Sequence, residues 1–227
     1  MLPQTPREVQ GRPPAPAAAR AGHQMNQRIK QSNQDGILNK NMTTTSYAVS
    51  SDLTGDAYDA ARAIWDDLER RYGLRAAKEA IHPHVTYVVG DGDRSDILAA
   101  RVAAVAAATP PFEIELDGVG SFDGARPVVF MRVVKSPALV DTYEAMHAAA
   151  RSVGMALWPL YAPQVWTPHV TLALKDTSPE LLPMLLADLG ARKIHFRARI
   201  ATISLVEVVL PEHTYIGTYP CAGVPSV

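Results

Sequence analysis

The hydrophobic positions of this chain change period at short intervals. SYAVSSDL, from Ser46, reads as a strand. Tyr58, Ala61, Ile64, Trp65, Leu68 and Tyr72 then recur at helical spacing, and Gly73 is a stop signal. PHVTYVV, from Pro83, is a short β-branched run and predicts a strand. DRSDILAARVAAVAAA predicts a helix ended by Pro110-Pro111. FEIELDGVGSF and RPVVFMRVV predict two strands joined by a turn through Asp123-Gly124. Leu139, Tyr143, Met146, Ala150 and Val153 mark another amphipathic helix, and PHVTLAL, from Pro168, another strand. In SPELLPMLLADLG, Ser178 suits the N-cap, Pro179 the first helical position and Gly190 the stop, while Pro183 argues for a later start. FRARIATISLVEVV supplies one or two closing strands. The order is β-α-β-α-β-β-α-β-α-β. The hairpin-like turns favour an α+β fold with antiparallel sheets.

Composition bounds this picture. Residues 1–44 lack an apolar period, are rich in Pro, Ala, Gln, Arg and Asn, and are expected to form a disordered tail. Residues 45–227 are then the folded unit. The tail holds six of the 22 bases and two of the 23 acids, so the remainder carries about −5. A body of that sign is a poor platform for long polyanions, and any phosphate site should be local. The single cysteine, Cys221, excludes an internal disulfide and fits a reducing compartment. No apolar run approaches the roughly 18 residues of a membrane span, and no signal-peptide core is seen. The expectation is a cytoplasmic monomer without a membrane segment.

The candidate chemistry lies in the repeated PHVT. In a strand, residues i and i+2 share a face, about 6.7 Å apart. His84 and Thr86 therefore share one face, with Val85 and Tyr87 on the other; His169 and Thr171 repeat this 85 residues later. Two such strands facing each other would present two imidazoles and two hydroxyls. Histidines titrate near neutrality and can act as general base and general acid. Hydroxyls donate to anionic oxygens without adding charge. The set suits phosphodiester chemistry, with no metal or cofactor required.

Two H-x-T motifs on equivalent strands, each followed by apolar residues, resemble the 2H phosphoesterase family. This family includes 2'-5' RNA ligase-like proteins and RNA 2',3'-cyclic phosphodiesterases. The resemblance runs from about Tyr47 to Tyr219, through AIHPHVTYVV, WTPHVTLAL and the FEIELDGVGSF…RPVVFMRVV hairpin. It implies a bilobal fold in which two sheets form a V-shaped groove with helices outside. It also implies His84 and His169 as the catalytic pair, and Thr86 and Thr171 as phosphate-binding hydroxyls. The implied activity is hydrolysis of 2',3'-cyclic phosphates on nucleotides or RNA ends. The alternatives are 2'-5' RNA ligation at the same site and a non-catalytic nucleotide- or RNA-end-binding module.

Further residues are candidates for substrate contact. Trp166 and Tyr161 could stack on a base, although packing is the ordinary role of such aromatics. Arg132 and Lys175 could reach a phosphate, although a solvated charge is the default. His82 and His84 form an H-x-H pair that could ligate a metal with His147, His169, His195, His213 or carboxylates, but no second metal-like spacing accompanies it.

Overall fold

The computed structural model describes residues 45–209 and 212–224, so the expected tail at 1–44 lies outside the described residues. The elements are β1 (Ser46–Asp52), α1 (Gly55–Tyr72), α2 (Ala76–Ala80), β2 (His84–Asp91), α3 (Ser95–Ala108), β3 (Phe112–Phe122) and β4 (Val128–Val133). They continue with α4 (Pro137–Ser152), β5 (Ala156–Leu157), a 3-10 turn (Pro159–Tyr161), β6 (His169–Ala173), α5 (Leu182–Gly190), β7 (His195–Ile200), β8 (Thr202–Val209) and β9 (Glu212–Pro220). Among the described residues the strands form two sheets, ordered β5-β2-β1-β8-β9 and β6-β4-β3-β7. Every strand pairing is antiparallel. The fold is α+β and two-lobed, as expected.

The sequence pattern explains most of these elements. Ala57, Ala61, Ile64, Trp65 and Leu68 are the buried stripe of α1, and Gly73 ends it with φ 73°, a conformation that favours glycine. Ser136 accepts a bond from the Leu139 N–H at 3.3 Å, with Pro137 inside the start of α4. α5 begins at Leu182 rather than Pro179. The Ser178 hydroxyl accepts a bond from the Leu181 N–H at 3.4 Å, so it closes a turn before the helix, and Pro183 falls in the first helical turn.

Three elements go beyond the pattern. α2 and β5 are too short for periodicity to register. β9 follows β8 in a hairpin, but EHTYIGTYP has little apolar alternation because it is an edge strand. FRARIATISLVEVV is two strands in different sheets, and the chain crosses between lobes at Ala201.

The helices do not stay with their own half. α1 follows β1 yet packs on β6 and β7, while α4, from the second half, packs on β2. The exchange makes one continuous core of the two lobes. Gly90 permits the close approach of β5 to β2, since a Cβ there would lie 2.6 Å from the Ala156 carbonyl oxygen. Among the described residues no helix is long and apolar enough to cross a membrane.

Leu68 is 0% exposed at the lobe junction. Leu68→Ala is expected to lower unfolding free energy by about 2–5 kcal/mol in denaturant titrations, against less than ~1 kcal/mol for exposed Arg70→Ala.

Candidate active site

β2 and β6 touch where the two sheets meet. Along β2, Val85 and Tyr87 are buried while His84 and Thr86 are half-exposed; along β6, Val170 and Leu172 are buried while His169 and Thr171 are half-exposed. The inward apolar residues anchor the strands, so the pleat turns the other four side chains outward. All four line one groove of about 510 Å³, large enough for a nucleotide-sized ligand.

The two imidazoles are held identically. His84 Nδ1 is 2.7 Å from the carbonyl oxygen of His82, and His169 Nδ1 is 2.7 Å from that of Thr167. A carbonyl only accepts, so each Nδ1 carries the proton and donates it. Each Nε2 is left as the basic nitrogen, which fixes tautomer and ring orientation in the absence of any ligand.

Their surroundings differ. His169 meets Phe122 edge-on at 5.1 Å and lies 5.0 Å from the Phe130 ring. Burial in this aromatic corner, with the charge of His84 nearby, pushes the His169 pKa down to about 4. Burial also lowers His84, but the hydrogen bond to His82 and the carboxylate of Asp52 oppose it. Asp52 sits opposite His84 in the β1–β2 register, and its oxygens accept the Tyr215 hydroxyl at 2.9 and 3.0 Å. One histidine is thus held neutral by apolar neighbours, and the other has an acid at hand to favour its charge.

The threonines are fixed through their backbones by two tryptophans. Trp166 donates its indole N–H to the Thr86 carbonyl at 3.1 Å, and Trp65 donates to the Thr171 carbonyl at 3.1 Å. Each bond runs from one half of the chain to the motif of the other. Trp166 is 3% exposed and stacks on Tyr143 at 4.0 Å and 13°. Its ring face is therefore occupied by protein. Tyr161 lies along the groove, its phenol pushed up to about 12 by burial although the Thr86 hydroxyl nearby opposes this, so it stays protonated. Its carbonyl accepts the Tyr143 hydroxyl at 2.8 Å.

Arg132 is drawn away. Its Nε donates to the Asp117 carbonyl at 2.9 Å, and its guanidinium lies over Gly118, where β3 bulges with φ 72°. Lys175 lines the groove just past β6. His82 stands with its ring 6.3 Å from Tyr215. Sequence reasoning missed Arg126 and Tyr215, and named His213 only as a possible metal partner; all three also line the groove. His213 and Tyr215 share a strand face at i and i+2, a signal that could be read only once β9 is recognised as a strand.

Trp166→Phe and Trp65→Phe keep an aromatic ring but delete the donor to the threonine backbone. Each is expected to lower groove affinity for a phosphorylated nucleotide roughly 3- to 30-fold by calorimetry, the size of one or two hydrogen bonds. Unchanged affinity in both would mean that the indole bonds do not position the threonines.

The family model described as the 2'-5' RNA ligase superfamily matches residues 57–209. Among solved structures, TT0787 of Thermus thermophilus superposes with a TM-score of 0.56 at 16% identity, covering 78% of this chain and 98% of that one. E. coli LigT in its apo form gives 0.54 at 16% identity, covering 78% and 97%. Its complex with 3'-AMP gives 0.51 at 16% identity over the same shares. No curated protein sequence matches the chain. The structural likenesses concern the fold, and the family match spans both H-x-T strands: the chain belongs to the 2'-5' RNA ligase superfamily, within the 2H phosphoesterases.

Proposed function

We propose that this protein hydrolyses 2',3'-cyclic phosphates of nucleotides or RNA ends by general acid–base catalysis between His169 and His84, without a metal. The observation that carries the reading is the matched pair of imidazoles, each held by its Nδ1 with Nε2 left to act. E. coli LigT, which shares the fold, has been crystallised with 3'-AMP, and a nucleotide ligand here is in keeping with that.

The asymmetry of the site supports a division of roles. His169, neutral in its aromatic corner, takes a proton from water at Nε2 as the water oxygen bonds to phosphorus. The bond from phosphorus to the 3'-oxygen breaks, and His84 donates its Nε2 proton to that oxygen. The product is a 2'-phosphate with a free 3'-hydroxyl. Thr86 and Thr171 donate to the non-bridging oxygens. Removal of either imidazole should cost about 10²–10⁴-fold in kcat/KM.

The test is product formation from an oligonucleotide ending in a 2',3'-cyclic phosphate, in EDTA, with His84→Ala and His169→Ala beside the wild type. Turnover lost in both variants supports the reading. Binding without turnover points to a binding module, and activity abolished by the chelator points to metal chemistry at His82 and His84.

The pH dependence follows from the two lowered values. His169 must be neutral, so kcat/KM falls as pH drops through about 4. His84 must be protonated, and its free-enzyme value lies below the ordinary ~6.5, so kcat/KM falls again as pH rises past that region. The optimum of kcat/KM is therefore expected on the acid side of pH 6.5. The alkaline limb of kcat lies higher, because the bound anionic phosphate favours charged His84. Phe122→Leu opens the aromatic corner, and the acid limb should move up toward the ordinary histidine value. A profile flat from pH 4 to 8 contradicts the scheme.

A further inference from the structure

We infer that Arg126 and Lys175, beside His213, form a second anion subsite in the groove that takes a second phosphate of the substrate, separate from the one that reacts. The inference rests on the phosphodiesterase reading and adds a substrate preference to it.

Three elements converge there. Arg126 is in the β3–β4 connection, Lys175 just past β6, and His213 on β9; all three line the groove. The antiparallel β4–β6 pairing ends at Val129 opposite Ala173, with Arg126 shortly before one strand and Lys175 shortly after the other, so both lie at the same end of the strand pair. Lys175 stands two residues past the end of β6, the strand that carries His169 and Thr171. In the inferred arrangement its amine takes a phosphate other than the one held by Thr171.

The local chemistry favours an anion. Burial and the guanidinium of Arg126 hold the Lys175 amine below its usual range. Burial, His84 and Lys175 together lower His213. Like charges have thus been gathered, although the folded body as a whole is acidic. Cations gathered on the helical side are paired, Arg71 and Arg192 with Asp188 and Lys78 with Asp66 and Glu69. Among the described residues neither Arg126 nor Lys175 makes an ion pair. Lys175 also holds φ 69°, the left-handed region that non-glycine residues seldom adopt, and such backbone collects at ligand sites. A phosphate dianion would relieve the repulsion and supply the missing partner.

Two sources offer this chemistry: the 5'-phosphate of a mononucleotide and the internucleotide phosphate of an RNA end. The experiment compares kcat/KM for adenosine 2',3'-cyclic phosphate, its 5'-phosphorylated form, and a dinucleotide ending in a 2',3'-cyclic phosphate. Each is measured with wild type, Lys175→Gln and Arg126→Gln. A second phosphate is expected to raise wild-type kcat/KM at least about tenfold, an advantage that shrinks as salt is raised. In both variants the ratio should fall toward one. Gain with the mononucleotide form or with the dinucleotide identifies the source, and either upholds the subsite. Wild-type ratios near one for both substrates overturn it. So do variants that slow all substrates alike, which would place Lys175 on the reacting phosphate. If wild type turns over none of the three, the phosphodiesterase reading fails, and the subsite is read by calorimetry. Adenosine 5'-monophosphate should then bind tighter than adenosine in wild type and lose that margin in Lys175→Gln; equal binding of the two by wild type overturns the subsite.

Discussion

The groove depends on an exchange of hydrogen bonds between the two halves of the chain. Trp65, from the helix that follows the first strand, holds the carbonyl of Thr171; Trp166, from the loop before the second motif, holds the carbonyl of Thr86. Each indole is buried, so its N–H has no water to fall back on and the bond is costly to break. Side-chain packing alone would let two lobes rock against each other. Directional bonds to the backbone of the two H-x-T strands fix their separation, and the crossed helices take part: α1 carries Trp65, and α4 carries Tyr143, which stacks on Trp166. Preorganisation of this kind lowers the cost of ordering the site when ligand arrives.

On that near-symmetric frame the electrostatics are unequal. The two motifs share the H-V-T letters and the same Nδ1 anchor, yet one imidazole faces Phe122 and Phe130 and the other faces the Asp52 side of the first sheet. In the proposed scheme acid and base roles are divided by neighbours rather than by the motifs themselves. Lys175 and Arg126 also line the groove and add a further polarity to it.

Much of this could be read from the sequence where the information is local. Period-2 alternation placed His84 with Thr86 and His169 with Thr171, and the stripe from Tyr58 to Tyr72 gave α1, because each strand or helix buries one face. The parts that escaped depend on distant partners. Trp166 could be read as a base-stacking ring or as packing, since its bond to Thr86 spans 80 residues. Arg132 shares a strand with groove residues, but a bulge at Gly118 gives it somewhere else to lie. β9 carries Tyr215 and His213 to the groove, yet an edge strand with one wet face shows too weak an apolar pattern to announce itself.

The crossing at Ala201 bears on how the protein is made. β1, the first strand among the described residues, lies between β2 and β8, so it keeps an open edge until the β8–β9 hairpin arrives. A nascent chain that has emerged only as far as β7 exposes a strand with nothing to pair on one side, a template for wrong partners. Pairing β1 with β8 closes a loop of some 150 residues, a slow step by the usual relation between contact separation and folding rate. Emergence of the β8–β9 hairpin, rather than of either H-x-T strand, is then the moment at which the first lobe can become whole.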